Sequence, residues 1–222
     1  MSRIVGVIPA AGRATRLRPL PCSKELLAVG GRPVIDYLFE RMLAASPDEI
    51  RVVTRSDKAD VTAHAHASGA TVILGDPESA AASFALGVED LEPDDIVLLG
   101  FPDSIWEPRD GFSQLVHELD GTDVVLGVFD SDEPERSDVV TLNGDRVTSV
   151  QVKPDDPVTN LIWGCAAARA TALADLPRHD EAGHLFDSLA GQGRVRAVPF
   201  PGAMIDIGTN EALSRARARL GA

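Results

Sequence analysis

Over its first hundred residues the chain alternates short apolar runs with stretches of helical periodicity, and few folds accommodate that alternation. Ile4-Val5-Gly6-Val7-Ile8 reads as a buried strand. Residues 33–43 read as a helix, with Pro33 in the first turn and Val34, Tyr37, Leu38 and Met42 on one face. Strands follow at 50–54, 71–74 and 95–100, with a polar helix over 58–68 and an Ala-rich helix over 79–91 between them. Strands separated by helices of about ten residues form βαβ units, and βαβ units build a parallel sheet.

The second half has a different rhythm. Residues 139–142 and 146–152 flank Asn143-Gly144, a favoured two-residue hairpin turn. Further strands are expected at 162–167 and 195–200, and a last helix over 210–220. With no repeat, low-complexity tract or Gly/Ser linker in between, residues 1–222 read as a single domain. The expected fold class is α/β: a doubly wound, mostly parallel, Rossmann-like sheet with helices on both faces and an antiparallel hairpin elaboration. Ligands of such sheets bind outside the carboxyl ends of the strands.

Charge narrows the choice of partner. The net charge of −13 argues against a nucleic-acid surface or an anionic membrane. Residues 1–32 nevertheless carry Arg3, Arg13, Arg16, Arg18, Lys24 and Arg32 against the single acid Glu25. A compact basic region on an acidic body suits a small polyanion such as a nucleoside triphosphate. No run approaches the roughly 20 apolar residues of a membrane span, and the N-terminal apolar run is too short for a signal peptide. Cys22 and Cys165 lack metal-ligand spacing, so the reading is a cytoplasmic protein with reduced thiols and Cys165 in the core. His64 and His66 lie two apart on a helix, do not share a face, and are expected to face solvent.

The segment from Pro9 to Pro19 leaves the first strand directly. Small residues there let peptide N–H groups approach phosphates, and Arg16 and Lys24 would add positive charge. Neither GxxxxGK[ST] nor GxGxxG is present. Of 21 basic residues only Lys24, Lys58 and Lys153 are lysines, which suggests positions where a compact ammonium is wanted rather than a planar fork.

The stretch IPAAGRATRLRPLPCSKELLAVGGRPVIDY resembles the N-terminal signature of sugar-1-phosphate nucleotidylyltransferases, GGxGTRLxPxTxxxPK. Phe101-Pro102-Asp103 is similar to that family's LGD, Val152-Lys153-Pro154 to its EKP, and Trp163-Gly164 to its TG. Met204-Ile205-Asp206-Ile207-Gly208-Thr209 is similar to its WxDIGT. The resemblance covers most of the chain and implies transfer of a nucleotide to a sugar 1-phosphate with release of pyrophosphate. It implies Arg16 and Lys24 as catalytic residues. Ala10, Ala11, Gly12, Arg13, Ala14, Thr15 and Ser79 would meet the nucleotide, and Lys153, Trp163 and Gly164 the acceptor. Asp103 and Asp206 would be Mg²⁺ ligands. The nucleotide half would span about residues 1–110 and the acceptor half about 111–222. A homo-oligomer is compatible with the sequence, and the acyltransferase extension of some relatives is expected to be missing.

Each of these residues has a plainer reading: Asp103 and Asp206 as helix or turn caps, Lys153 as a surface lysine, Trp163 as core. The sequence also departs from the family pattern. The second glycine of the loop is Ala14, and the glutamate of EKP that contacts the sugar is Val152. The YGVV strand becomes Ser137-Asp138-Val139-Val140, and a base-reading glutamine becomes Ala82. A cytidylyltransferase acting on a polyol phosphate, and a catalytically silent sensor of nucleotide or sugar phosphate, therefore stand as alternatives.

Overall fold

A computed structural model describes residues 2–15, 17 and 19–221. The chain runs through β1 (Ile4–Pro9), a 3-10 turn at Lys24–Leu26, the small ribbon β2 (Ala28–Val29) and β3 (Arg32–Pro33), and α1 (Ile35–Ala44). It continues through β4 (Glu49–Thr54), α2 (Ala59–Ala67), β5 (Thr71–Leu74), α3 (Ala80–Val88), β6 (Ile96–Gly100), β7 (Ser104–Ile105) and α4 (Gly111–His117). Then come β8 (Val124–Asp130), β9 (Val139–Asn143), β10 (Arg146–Gln151), β11 (Leu161–Arg169), α5 (Ala182–Gly191), β12 (Val195–Ala203), β13 (Ile205–Asp206) and α6 (Asn210–Leu220).

One nine-stranded sheet, in the order β5-β4-β1-β6-β11-β8-β12-β10-β9, organises the molecule. Its first four strands are parallel, as the βαβ spacing predicts. The antiparallel elaboration is larger than one hairpin, because β11 runs antiparallel to both β6 and β8. The β9–β10 hairpin forms, but its turn residues are Gly144 and Asp145. Asn143 stays in the ladder opposite Arg146, and Gly144 takes the φ of 65° that the turn requires.

Alternation along the strands sorts side chains to two faces. Val5, Val7, Val97, Leu99, Leu126 and Ala166 pack with α3 and α5 in one core. Ile8, Leu98, Val125, Cys165 and Ala167 pack with α1, α2 and α4 in the other. The sequence spacing predicts no element over 111–130 or 182–191, where α4, β8 and α5 lie. α4 is only seven residues long, and β8 is buried on both faces, so neither shows a period. His64 is not simply solvent-facing: its Nε2 meets Asp36 Oδ1 at 2.6 Å and ties α2 to α1. No helix of the described residues is long and apolar enough to cross a membrane.

Close helix–sheet packing beneath the strand ends depends on Gly87. A Cβ there would overlap Val7 Cγ1 and come within 3.2 Å of Val7 Cγ2, and Val7 is wholly buried. Two effects oppose each other in Gly87→Ala. Helix propensity favours Ala by about 1 kcal/mol, whereas overpacking a rigid β-branched neighbour costs typically about 1–3 kcal/mol. The variant is expected to unfold at lower urea concentration than the parent, with an unchanged m-value. A rise in the urea midpoint would show that α3 can lift off β1.

Candidate active site

The loop after β1 is pinned from below. Ala10 N donates to Val53 O at 2.8 Å, which carries the chain one residue past the strand along β4. Lys58, immediately before α2, donates from Nζ to Ala10 O at 2.8 Å and to Glu25 Oε1 and Oε2 at 2.9 and 3.0 Å. Glu25 has no exposed surface. Burial pushes its carboxyl above the usual range, against the pull of the Lys58 charge. Asp60 adds a second tie, accepting from Ser23 N and Ser23 Oγ at 2.8 Å each. Ala14, where the resemblance expects glycine, sits at φ 51°, in the left-handed region that costs an L-residue roughly 1–2 kcal/mol.

This scaffold presents Lys24 from the 3-10 turn toward the end of β6. Lys24 Nζ lies 2.6 Å from Asp103 Oδ2, and the Asp103 carboxylate holds the lysine above its usual pKa, against the effect of burial. Asp206 contributes to the same field. The two aspartates are brought together by a short antiparallel ladder: β13 pairs with β7, Asp206 opposite Ser104, and Ile207 N donates to Asp103 O at 3.0 Å. Neither stands at a helix cap position, but the plainer reading holds in part for Asp206, which caps the turn before α6. Thr209 caps α6 by accepting from Ala212 N, while Asp206 Oδ1 accepts from Gly208 N at 2.5 Å.

A cleft of about 910 Å³ opens over these groups. Of the residues expected to form a site, Ala11, Gly12, Arg13, Thr15, Lys24, Ser79, Asp103, Lys153, Trp163 and Asp206 all line it. Three do not. Ala10 is buried beneath the loop and offers its carbonyl to Lys58. Ala14 faces an adjoining recess of about 420 Å³ that Cys22, Arg55 and Lys58 also line and that shares Gly12, Arg13 and Lys24 with the cleft. Gly164 lies behind the wall, where its missing Cβ leaves room for Met204 Sδ. Arg16 lies outside the described residues. Ser79 uses its hydroxyl to cap α3, accepting from Ala82 N at 3.0 Å, so the α3 N-terminus is what faces the cleft.

Elsewhere on the cleft Lys153, in the left-handed region at φ 40°, pairs with Glu181. Trp163 is both core and wall. It packs against Phe101 and Phe186, with centroids 5.2 and 5.1 Å away, and its Nε1 donates to Asp138 Oδ2 at 3.1 Å. Sequence reasoning missed two groups here. Lys58 could have been found, since lysine scarcity already marked it. Asp138 stood in a marked segment, the counterpart of the YGVV strand, but its burial gave no signal, because nothing local distinguishes an acid that will be buried from the many that stay on the surface.

Residues 6–195 match the profile of the MobA-like NTP transferase domain. A Sulfolobus acidocaldarius protein assigned as a mannose-1-phosphate guanyltransferase is 29% identical over 172 residues, 72% of this chain and 46% of that one. The UTP–glucose-1-phosphate uridylyltransferase of Haloferax volcanii is 28% identical over 233 residues, 96% of this chain and 95% of that one. The chain thus spans about half the length of the first relative and nearly all of the second. A Bacillus anthracis crystal structure assigned as a glucose-1-phosphate thymidylyltransferase, in complex with a sucrose, superposes with a TM-score of 0.87. It covers 98% of this chain and 95% of that one at 19% identity, which establishes likeness of fold.

Breaking a buried pair by removing one partner costs about 3–5 kcal/mol. Lys58→Met is expected to lower stability by an amount of that order at neutral pH. Glu25, whose pKa is already raised, would take up a proton more readily once the lysine is gone. The penalty should therefore be largest at neutral pH and shrink as the pH falls from the raised Glu25 pKa of the variant toward the carboxyl pKa of the unfolded chain. Lys58→Met combined with Glu25→Gln should recover most of the loss. Denaturant melts of the three variants at neutral and mildly acidic pH check this; a pH-independent penalty would contradict it.

Proposed function

The chain belongs to the MobA-like NTP transferase domain family, and on that premise we propose that it is a nucleotidyltransferase acting on a sugar 1-phosphate. In the reaction an oxygen of the acceptor phosphate attacks the α-phosphorus of a nucleoside triphosphate. The new P–O bond forms as the bond from that phosphorus to the bridging oxygen of pyrophosphate breaks. The product is a nucleoside diphosphate sugar. The observation that carries this reading is the convergence of Lys24, Asp103, Asp206 and Lys153 on one cleft, floored by the loop after β1.

The nucleophile is already an anion, so the residues have to position and neutralise rather than move protons. We assign Ala11, Gly12, Arg13 and Thr15, with the N-terminus of α3, to the nucleotide, and Arg16 to its triphosphate. Lys24 is assigned to the reacting phosphates. Its ammonium is stabilised by Asp103, so it keeps its charge throughout the neutral range. Lys153, which lines the same cleft, is assigned to the acceptor phosphate. Residues 1–222 then act as one unit, about 1–110 holding the nucleotide and about 111–222 the acceptor.

Asp103 and Asp206 suit Mg²⁺ by chemistry: two hard carboxylate donors, one just before β7 and one on its partner strand β13, lining a cleft large enough for phosphate and water to complete the coordination. When bound, the ion would neutralise charge on the phosphate oxygens as it builds.

Purified protein incubated with Mg²⁺, each common NTP or dTTP, and a panel of sugar and polyol phosphates should release pyrophosphate only when an acceptor is present. Lys24→Ala, Asp103→Ala and Asp206→Ala are each expected to lower turnover by about 10²–10³-fold or more. Silence of the parent across the panel, with nucleotide still bound, would replace the transferase reading with that of a sensor. Turnover with polyol phosphates alone would move the acceptor to that class.

A further inference from the structure

At the acceptor end of the cleft one carboxylate has no role in the transfer just described. Asp138 is 8% exposed and lines the cleft. Two bonds tie it to Trp163: Trp163 Nε1 donates to Oδ2 at 3.1 Å, and Trp163 N donates to the Asp138 carbonyl at 3.3 Å. Trp163 is itself clamped between Phe101 and Phe186. On the remaining side stands Gly183, in the first turn of α5, where a Cβ would overlap Oδ2 and approach the Asp138 Cγ to 2.9 Å. Trp163 and Gly183 thus fix the carboxylate on two sides, in a residue that lines the cleft.

Such a group is costly to keep unless it is used. A carboxylate can accept about four hydrogen bonds, and among the described residues the indole N–H is the side-chain donor to this one. The lysine beside it, Lys153, forms its ion pair with Glu181 instead. Burial pushes the Asp138 carboxyl above its usual range. A buried acid with unused lone pairs, held rigid on a cleft wall, is the arrangement by which proteins recognise donors on a bound ligand. Val152 packs at the same point behind the wall, since its Cγ2 and the Asp138 Cγ would both lie 2.9 Å from a Cβ on Gly183.

We propose that Asp138 determines acceptor specificity, its carboxylate accepting hydrogen bonds from hydroxyl groups of the sugar ring whose phosphate faces Lys153. The inference rests on the transferase reading above. The indole keeps Oδ2 in place, and the ring hydroxyls take the lone pairs left over. Asp138 touches the acceptor but not the reacting atoms, so it acts on acceptor affinity rather than on the chemical step. Trp163 is a positioning residue that acts through Asp138.

Steady-state kinetics of pyrophosphate release test this on glucose, galactose, mannose and glucosamine 1-phosphates, followed by deoxy analogues of the best acceptor. Asp138→Asn should fold, because its amide oxygen still accepts from Trp163 Nε1; the melting temperature checks this. It is expected to raise the acceptor KM about 10–100-fold, the worth of hydrogen bonds to a charged group, with the KM for the nucleotide unchanged. One deoxy analogue should cost the parent a similar factor and cost Asp138→Asn little. Trp163→Phe keeps a ring but frees the carboxylate, and should raise the acceptor KM alone by a smaller factor. Penalties that simply add for every deoxy analogue, or a matching rise in the nucleotide KM, overturn the proposal. So does a loss confined to glucosamine 1-phosphate, which would make the ligand an ammonium. A parent that turns over no sugar 1-phosphate fails at the first step and removes the transferase reading itself, before any variant is compared.

Discussion

A carboxylate with no exposed surface, Glu25, meets the ammonium of Lys58, and the same ammonium caps the carbonyl at which the chain leaves β1. Three segments far apart in sequence are thereby held at one point: the exit of the first strand, the turn that carries Lys24, and the start of α2. Desolvating two charges is costly, and well-packed apolar side chains could give comparable stability. What they could not give is direction. A lysine with three donors, facing a bidentate acid and a peptide carbonyl, specifies an orientation as well as a distance. Lys24 follows Glu25's placement directly, being its neighbour in the chain, and through Lys24 the position of Asp103 is tied to the same anchor.

Above that anchor the cleft is assembled from both ends of the chain. The first strand and its loop supply the floor, and the ladder of β7 with β13 sets Asp103 and Asp206 side by side. A small apolar cluster of Leu17, Leu27, Val29, Val34, Ile105, Ile207, Leu213 and Ala216 fills the space beneath. α6 closes it, with Arg217 Nε donating to Ala28 O at 3.0 Å and Gly30 N donating to Gly221 O at 2.9 Å. The charged groups of the cleft are therefore backed by apolar contacts and paired strands rather than by loop conformation alone, the condition under which fixed charges neutralise a reacting phosphate well.

Where a sequence period existed, it was informative. The βαβ spacing of residues 4–100 gives the parallel half of the sheet, and the hairpin signal at Asn143-Gly144 locates β9 and β10 to within a residue of their turn. Where burial is two-sided or an element is very short, as in β8 and the β7–β13 ladder, there is no period to read. The same division holds for the cleft. Lys24, Asp103, Asp206 and Lys153 lie in segments with a recognisable pattern, and the fold brings them to one cleft. Asp138 and the Glu25–Lys58 pair depend on tertiary neighbours, Trp163 and Gly183 for the first and the β1 exit for the second. Pairing across 33 residues leaves no mark on local composition.

The placement of Asp206 has a consequence for the order in which the protein can be made. A ribosome delivers β1, its loop and the Lys58 anchor early, and these can pack as soon as β4 and β6 join them. The partner strand of β7, and the helix that seals the loop, leave the exit tunnel only after every strand of the nine-stranded sheet. Until residue 206 emerges the nascent chain has a nearly complete sheet but only one of the two paired aspartates. On the function proposed above, a nascent chain that stops short of residue 206 lacks one of the two acids assigned to the metal–triphosphate complex, and nucleotides abundant in the surrounding solution have little hold on it.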